Sequence, residues 1–257
     1  MKYARIAVDG TPTWAIVQDD TVELMDGTPY NGGRPTQARL ALADVHLLAP
    51  VTPSKIFCLG RNYRDHRTEM GYAHDGAPSV FMKGPSTVIG PGDDIVLPPS
   101  SLSTHVEHEA ELAVVIGTPA RFVSADRAFE YILGYTCAND VSARDLQRSD
   151  PHPTRGKGFD TFCPVGPWIE TDLDPSSGVR LRCSVNGTLR QDGSTTDMTY
   201  RIPFLIEYLT SFATLLPGDL VITGSPGGTA PIQAGDHIEI EIDGIGTLIN
   251  GVVAHRP

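Results

Sequence analysis

The chain has 257 residues, of which 40% are hydrophobic and 20% are charged, and its formal net charge is −11. These values are ordinary for a globular protein, and the acidic balance argues against partners such as nucleic acid or an anionic membrane surface. The length fits one large domain or one domain with a small appendage, and the 26 Gly and 21 Pro residues predict many turns and short strands. We therefore expect a β-rich α+β fold.

The cysteines indicate a reducing environment. Cys58, Cys137, Cys163 and Cys183 are far apart, show no metal-finger spacing, and lie in or beside apolar segments. Met1 leads into a short alternating strand rather than a signal peptide, and no apolar run approaches the length of a membrane span. We expect a cytoplasmic protein.

The first fifty residues predict a small subdomain. Residues 3–24 alternate apolar and polar side chains around Asp9 and Gly10, which is typical of a β-hairpin. A Gly- and Pro-containing loop leads to a short strand at residues 45–50, and Pro50 and Pro53 mark a boundary. We predict a small α/β subdomain over residues 1–50 and a larger domain over residues 51–257.

A helical segment at residues 61–70 follows a buried-strand pattern at residues 55–60. His66 and Glu69 would share a face of that helix, so the carboxylate could orient the imidazole as a general base. A solvated, charged helix explains the same spacing, and the residues alone leave both interpretations open. The following loop, residues 71–78, suits a mobile lid. The next predicted strand, residues 79–83, ends at Lys83.

Two carboxylates, Glu109 and Glu111, lie at the start of an apolar run that continues to Gly117. In a β-strand, residues two apart point to the same face, so these like charges would repel one another. A hard divalent cation with oxygen ligands would relieve the repulsion, whereas an exposed strand end with solvated charges would also account for the pattern. These residues alone do not decide between the two.

A third carboxylate, Asp140, follows a predicted buried strand at residues 132–138, which is itself preceded by an amphipathic helix over residues 124–133. Ser142 to Asp145 resemble a capping box that begins a short helix presenting Arg144 and Gln147. Asp140 is therefore either a ligand at the strand end or an ordinary helix cap. Lys157, between two glycines, is either a cleft residue or a solvated lysine.

The rest of the chain is predicted to be mostly β-structure, with hairpin turns at Asn186-Gly187 and Asp243-Gly244 and one helix over residues 202–216. Nucleotide-binding fingerprints such as GxGxxG before a helix and the P-loop are absent, and so is the GxSxG nucleophile motif.

Several motifs in a fixed order resemble those of the fumarylacetoacetate hydrolase family, and they extend from Lys55 to the end of the chain. They are Gly60-Arg61-Asn62-Tyr63-x-x-His66-x-x-Glu69, His108-Glu109-Ala110-Glu111, Asn139-Asp140-Val141-Ser142-Ala143-Arg144-Asp145-Leu146-Gln147, Lys157-Gly158-Phe159-Asp160, Asn186-Gly187, Gln191-Asp192-Gly193, Pro217-Gly218-Asp219 and Thr223-Gly224-Ser225-Pro226. Each motif is weak alone, and the ordered set is highly specific. The resemblance implies a mixed β-sandwich roll and a homodimer.

The resemblance also implies roles for individual residues. Glu109, Glu111 and Asp140 match the carboxylates that bind Mg²⁺ or Mn²⁺, a site that Ca²⁺ can occupy in a crystal. His66 with Glu69 matches the lid dyad that activates water, and Lys157 matches the lysine that stabilises a developing enolate. The substrate-binding candidates are Arg61, Tyr63, Lys83, Arg144, Gln147 and Ser225.

The function implied by the resemblance is divalent-metal-dependent cleavage of a C–C bond in a small 2-oxo or 1,3-diketo acid through a metal-stabilised enolate. Acylpyruvate hydrolysis and oxaloacetate decarboxylation both fit this description. A 2-hydroxyhepta-2,4-diene-1,7-dioate or 5-carboxymethyl-2-hydroxymuconate type isomerase is the alternative, and a catalytically idle metal-binding dimer is a third. Ser225, where Thr is more usual, and Thr229-Ala230, where Val-Gly is more usual, leave the substrate open.

Overall fold

The computed structural model describes residues 1–63 and 76–256. The predicted catalytic pair His66 and Glu69 lies outside the described residues. Within them, no helix has the length and apolar character that a membrane span requires.

The described residues form nineteen strands. They are β1 (Lys2–Val8), β2 (Thr11–Gln18), β3 (Thr21–Met25), β4 (Pro35–Ala41), β5 (His46–Leu48), β6 (Ile56–Gly60), β7 (Ser79–Lys83), β8 (Val88–Ile89), β9 (Ile95–Val96), β10 (Val106–Glu107), β11 (Ala110–Ile116), β12 (Ile132–Asn139), β13 (Ser142–Ala143), β14 (Cys163–Glu170), β15 (Arg180–Val185), β16 (Thr188–Ser194), β17 (Leu220–Ile222), β18 (His237–Ile242) and β19 (Gly246–Val253).

Helices are few and short in the described ranges. The α-helices are α1 (Arg144–Ser149), α2 (Thr154–Lys157) and α3 (Ile202–Phe212), and the 3₁₀ helices are Leu42–Asp44, Pro85–Thr87, Ala125–Tyr131, Pro175–Ser177 and Thr195–Asp197. The expected β-rich α+β fold is confirmed.

Two main sheets build the core. A twelve-stranded sheet runs in the order β4-β3-β2-β1-β14-β12-β11-β17-β6-β7, with β5 on β1 and β8 on β14, and a five-stranded sheet runs β16-β15-β18-β19-β9. A large apolar cluster joins β11 and β12 to β15, β18 and α3 and includes Leu112, Cys137, Cys183, Ile240 and Leu205. A second cluster, with Ala113, Val115 and Ile222, covers the other face of β11 and β17. Both faces of the central strands are therefore buried.

The leading segment is joined to the large sheet, because β1 pairs with β14 through Lys2 and Glu170. Residues 1–50 contain five strands and one 3₁₀ helix but no α-helix, so the α/β description of this segment needs correction. Pro35–Ala41 pairs with β3 as the exposed edge strand β4, which the sequence did not predict. The division at residue 50 remains a prediction.

The predicted turns are present. Asp9 and Gly10 adopt φ values of 49° and 75°, and Asn186 and Gly187 adopt 51° and 72°, as a two-residue type I′ hairpin turn requires. The predicted helix over residues 202–216 is found but ends at Phe212. The predicted helix over residues 124–133 is a 3₁₀ helix over Ala125–Tyr131.

One end of the large sheet gathers the candidate site residues. Antiparallel pairing of β11 with β12 places Ala110 opposite Asn139 and Glu111 opposite Ala138. The start of β11 and the end of β12 therefore lie at the same end of the sheet. The end of β17 lies beside them, because β17 pairs with β11 on its other side.

Candidate functional site

Glu109, Glu111 and Asp140 form a buried carboxylate cluster at this end of the sheet. One oxygen from each lies within 4.8 Å of the other two. The side chains converge because Glu109 and Glu111 flank the first residue of β11, while Asp140 directly follows β12. Asp140 does not cap a helix, since Ala143 is the N-cap of α1. The predicted capping box is not formed either, because Ser142 lies in β13 and the N-cap is Ala143, which has no capping side chain. The Ser142 hydroxyl donates to the Asp140 carbonyl at 2.8 Å.

Burial of three like charges is costly, and Glu111 registers this cost most clearly. Burial, followed by the nearby charges of Asp140 and Glu109, raises the pKa of Glu111 well above its usual value. Its carboxylate accepts a hydrogen bond from the Gly224 amide in the loop after β17. The cluster therefore favours either a proton or an added cation.

Lys157 lies inside the cluster and bridges two of the carboxylates. Its Nζ donates to Glu109 Oε2 at 2.8 Å and to Asp140 Oδ2 at 2.6 Å, and it lies 5.1 Å from the centre of the Phe81 ring. Burial alone would lower the pKa of this lysine, but the charges of Asp140 and Glu109 raise it above its usual value. Lys157 is therefore a buried, protonated ammonium rather than a solvated surface lysine.

Two more cations neutralise the carboxylates from other sides. Lys83 Nζ donates to Asp140 Oδ1 at 2.7 Å and to the Val141 carbonyl at 3.1 Å. Arg144 Nη2 donates to Glu109 Oε1 at 2.6 Å, and its Nε donates to Glu107 Oε2 at 2.8 Å. Burial opposes the charge of Arg144, but Glu109 and Glu107 raise its pKa, so the guanidinium stays protonated.

A cavity of about 350 Å³ opens onto the cluster. It is lined by the three carboxylates and Lys157 on the inside and by loop residues further out. Its other lining residues include Arg61, Phe81, Arg144, Gln147, Arg148, Asp150, His152 and Ser225. Four of the six substrate-binding candidates, namely Arg61, Arg144, Gln147 and Ser225, therefore face the same cavity as the carboxylates.

The other two candidates are placed differently. Lys83 lines a neighbouring cavity of about 520 Å³ and reaches the site through Asp140. Tyr63 is buried rather than cavity-lining, and its hydroxyl has no hydrogen-bond partner among the residues that the structure describes. Burial and the nearby Glu111 raise the pKa of Tyr63. Neither side chain lines the 350 Å³ cavity, and their substrate-binding roles remain predictions.

The sequence interpretation missed Glu107 and Gly224. Glu107 accepts from Arg144, His105 Nε2 and Thr229 Oγ1, and Arg144 lowers the pKa of this carboxyl against the effect of burial. Glu107 could have been found from the sequence, because it stands two residues before Glu109 and continues the alternation of Glu109 and Glu111. The amide of Gly224 carries no such signal, since only the folded loop brings it to Glu111.

The donor set fits Mg²⁺ or Mn²⁺. All three candidate ligands are carboxylates, which are the donors that these hard cations prefer, and one oxygen of each lies within 4.8 Å of the others. The raised pKa of Glu111 supports the same conclusion, because it indicates a shortage of positive charge beside that carboxylate.

Sequence comparison gives two matches that together span nearly the whole chain. The profile described as "Fumarylacetoacetate (FAA) hydrolase C-terminal" matches residues 55–253, and the profile "Rv2993c-like, N-terminal" matches residues 1–50. Oxaloacetate tautomerase YisK of Bacillus subtilis is 43% identical over 225 residues, which cover 82% of this chain and 74% of that protein.

Solved structures agree in fold. The 5-carboxymethyl-2-hydroxymuconate delta-isomerase from Mycobacterium smegmatis is 44% identical, with a TM-score of 0.92 over 99% of this chain and 100% of that one. Maleylpyruvate hydrolase from Sphingobium sp. SYK-6, in complex with manganese(II) ion and pyruvate, is 32% identical, with a TM-score of 0.83 over 100% of both chains. By these matches and its ordered motifs, the chain belongs to the fumarylacetoacetate hydrolase family.

Proposed function

We propose that this protein is a divalent-metal-dependent enzyme that forms the enolate of a small 2-oxo acid. The observation that carries the proposal is the buried cluster of Glu109, Glu111 and Asp140, with the ammonium of Lys157 between two of them at the base of a cavity. A bound Mg²⁺ or Mn²⁺ would supply the positive charge that polarises the carbonyl of the acid.

The residues around the cluster support this chemistry. Lys157 is protonated and excluded from bulk water, so its ammonium can stabilise negative charge that develops on an enolate oxygen. Arg144 is held by Glu107 and Glu109, which fixes the direction of its guanidinium at the cavity wall. Gln147 and Arg61 line the same cavity, which supports a role for both in orienting the acid.

Cleavage of a C–C bond is the first product-forming outcome that we propose. In acylpyruvate hydrolysis, His66 assisted by Glu69 would deprotonate the water that attacks the distal carbonyl. In oxaloacetate decarboxylation, loss of carbon dioxide leaves the same enolate, and no water is activated. The manganese and pyruvate bound to maleylpyruvate hydrolase, a relative with the same fold, favour this outcome.

Proton transfer without bond cleavage is the second candidate outcome. The relatives named oxaloacetate tautomerase and 5-carboxymethyl-2-hydroxymuconate delta-isomerase favour it, since both are more than 40% identical to this chain. A base would remove a proton from the intact acid, and the resulting enolate would be reprotonated at a different carbon or at oxygen, giving an isomer or a tautomer.

A substrate panel tests the proposal. The protein would be assayed with Mg²⁺, Mn²⁺ or EDTA against acetylpyruvate, fumarylpyruvate, oxaloacetate and a carboxymethyl-hydroxymuconate diacid. We expect turnover of at least one substrate, loss in EDTA, and loss in the Glu109→Ala variant. Absence of turnover throughout would leave the idle metal-binding dimer, and turnover that survives both EDTA and Glu109→Ala would refute the metal role.

A His66→Ala variant separates the outcomes. Hydrolysis should fall about 100-fold or more through loss of the general base, whereas decarboxylation should survive. Equal loss of both activities would contradict this division of roles.

The homodimer and the cytoplasmic location remain proposals, the latter supported by the four buried, unpaired thiols of the described chain.

A further inference from the structure

Gln191, on β16, is a buried side chain next to the site that does not line the cavity. Its Oε1 accepts from the Ala110 amide at 3.0 Å and from His108 Nδ1 at 2.9 Å. Its Nε2 donates to Ser225 Oγ at 2.7 Å and to the Pro226 carbonyl at 2.8 Å. Because a backbone amide can only donate, the Ala110 contact fixes which end of the Gln191 amide faces β11.

These bonds join the two segments that shape the metal cluster. The first segment, residues 108–111, carries Glu109 and Glu111, and the second, residues 224–226, forms part of the cavity wall. Two further bonds cross directly between them, since Ser225 Oγ donates to the Ala110 carbonyl at 2.9 Å and the Gly224 amide donates to Glu111. Gln191 completes this network from the opposite sheet.

The Gln191 contact also determines the state of His108. Since Oε1 accepts, Nδ1 carries the proton in the neutral ring, and Nε2 has no hydrogen-bond partner among the described residues. The orientation of the ring therefore depends on Gln191, and His108 directly precedes Glu109.

The loop on the other side has little freedom to adjust. Gly224 has a φ of +103°, and a Cβ at this position would lie 2.7 Å from the Cβ of Asn62. The Asn62 amide in turn donates to the Thr223 carbonyl at 2.7 Å. With the loop held in this way, the hydrogen bonds of Gln191 set the position of residues 108–111 against a fixed support.

We propose that Gln191 is a positioning residue for the metal centre. It holds the backbone between Glu109 and Glu111 at the distance from Asp140 that a divalent cation requires, and it touches neither the cation nor the substrate. Groups that orient metal ligands commonly change metal affinity 10- to 100-fold when they are removed. The inference rests on the proposed metal role of the carboxylates.

Mn²⁺ binding without substrate tests the inference. Gln191→Met keeps the length of the side chain and removes its hydrogen bonds. We expect its Kd for Mn²⁺, measured by titration of the metal-free protein with electron paramagnetic resonance detection, to rise about 10-fold or more.

Asn250→Leu is the matched control. Asn250 is also buried, and its Nδ2 donates to the carbonyls of Gly90 and Asp93 at 2.9 and 2.8 Å, away from the cavity. Both variants lose buried hydrogen bonds and should have a lower Tm than the wild type, but Asn250→Leu should bind Mn²⁺ with the wild-type Kd.

Each outcome is decisive. A wild-type protein that does not bind Mn²⁺ would refute the proposed function itself. If the wild type binds, an unchanged Kd in Gln191→Met, or an equal rise in Asn250→Leu, would overturn the positioning role. If Gln191→Met does not fold, Gln191→Asn is measured in the same way, since its amide is one methylene too short to serve both segments. A wild-type Kd in that variant would refute the inference.

Discussion

Glu111→Gln should make the metal-free protein more stable while removing a metal ligand. Glutamine has nearly the same shape as glutamate and keeps the oxygen that accepts from the Gly224 amide. What it removes is one of three like charges whose oxygens lie within 4.8 Å of one another. The variant therefore separates the electrostatic cost of the cluster from its packing.

The expected gain follows from Coulomb's law. With an effective dielectric constant of about 20, two unit charges at that separation repel by about 3.5 kcal/mol. Lys157 offsets part of the repulsion, and protonation of Glu111, whose pKa is raised, relieves more of it. We expect the free energy of unfolding at pH 7 to rise by about 1 to 3 kcal/mol, which corresponds to about 2 to 12 °C in Tm.

Thermal unfolding with EDTA and with Mn²⁺ measures the effect. In EDTA the variant should unfold at a higher temperature than the wild type. A cation at 1,000 times its Kd should stabilise the wild type by about 4.1 kcal/mol but should hardly shift the variant, so the order of stability reverses in Mn²⁺. Glu130→Gln, which changes an exposed carboxylate paired with Arg127, is the control and should unfold like the wild type. A variant no more stable than the wild type in EDTA would refute the reasoning.

Three further predictions concern the same cluster. In EDTA, the stability advantage of Glu111→Gln over the wild type should vanish near pH 4.5 and grow as the pH rises. The reason is that the stability contributed by protonated Glu111 is present below its unfolded pKa and is lost towards its raised folded-state pKa. Thermal unfolding between pH 4.5 and 8 measures this difference, and a difference that stays constant would contradict the prediction. Lys157→Met should lower kcat about 100-fold or more through lost stabilisation of the enolate, yet its Kd for Mn²⁺ should not rise, because the variant removes a cation from between two carboxylates. Steady-state rates and a Mn²⁺ titration check both expectations, and a higher Kd would argue that Lys157 organises the carboxylates. Lys83→Met should lower the free energy of unfolding by about 3 to 5 kcal/mol in urea denaturation, because Asp140 is left buried with one oxygen unpaired. If its urea midpoint changes as little as that of Arg127→Met, which breaks an exposed ion pair, Lys157 alone compensates the charge of Asp140.

The carboxylate cluster could be predicted only in part from local rules. Alternation placed Glu109 and Glu111 on one face, whereas the family resemblance was needed to add Asp140 to them. The pairing of β11 with β12 brings the three carboxylates together. The hairpin turn at Asn186 was accessible for the same reason, since Asn-Gly between two strands needs no tertiary information.

Side-chain partners were not accessible, because they depend on pairings between distant segments. Lys83 ends its strand as predicted, but the burial of that end directs its ammonium to Asp140 rather than into the cavity. Arg144 was predicted from its motif, whereas its ion pair with Glu107 arises only when β10 and β13 pair. The capping box is not formed because Ser142 pairs within β13, so the helix begins one residue later, with Ala143 as its N-cap.

The exposed edge strand β4 bears on the behaviour of the protein in concentrated solution. An open sheet edge is a template on which strands of other molecules can add, leading to aggregation. Here Pro35 lacks an amide hydrogen, Gln37 departs from extended geometry with a φ of 69°, and Arg39 is held in an ion pair with Glu23. Each of these features hinders the pairing of a further strand, so the sheet edge formed by β4 is protected even though β4 is exposed.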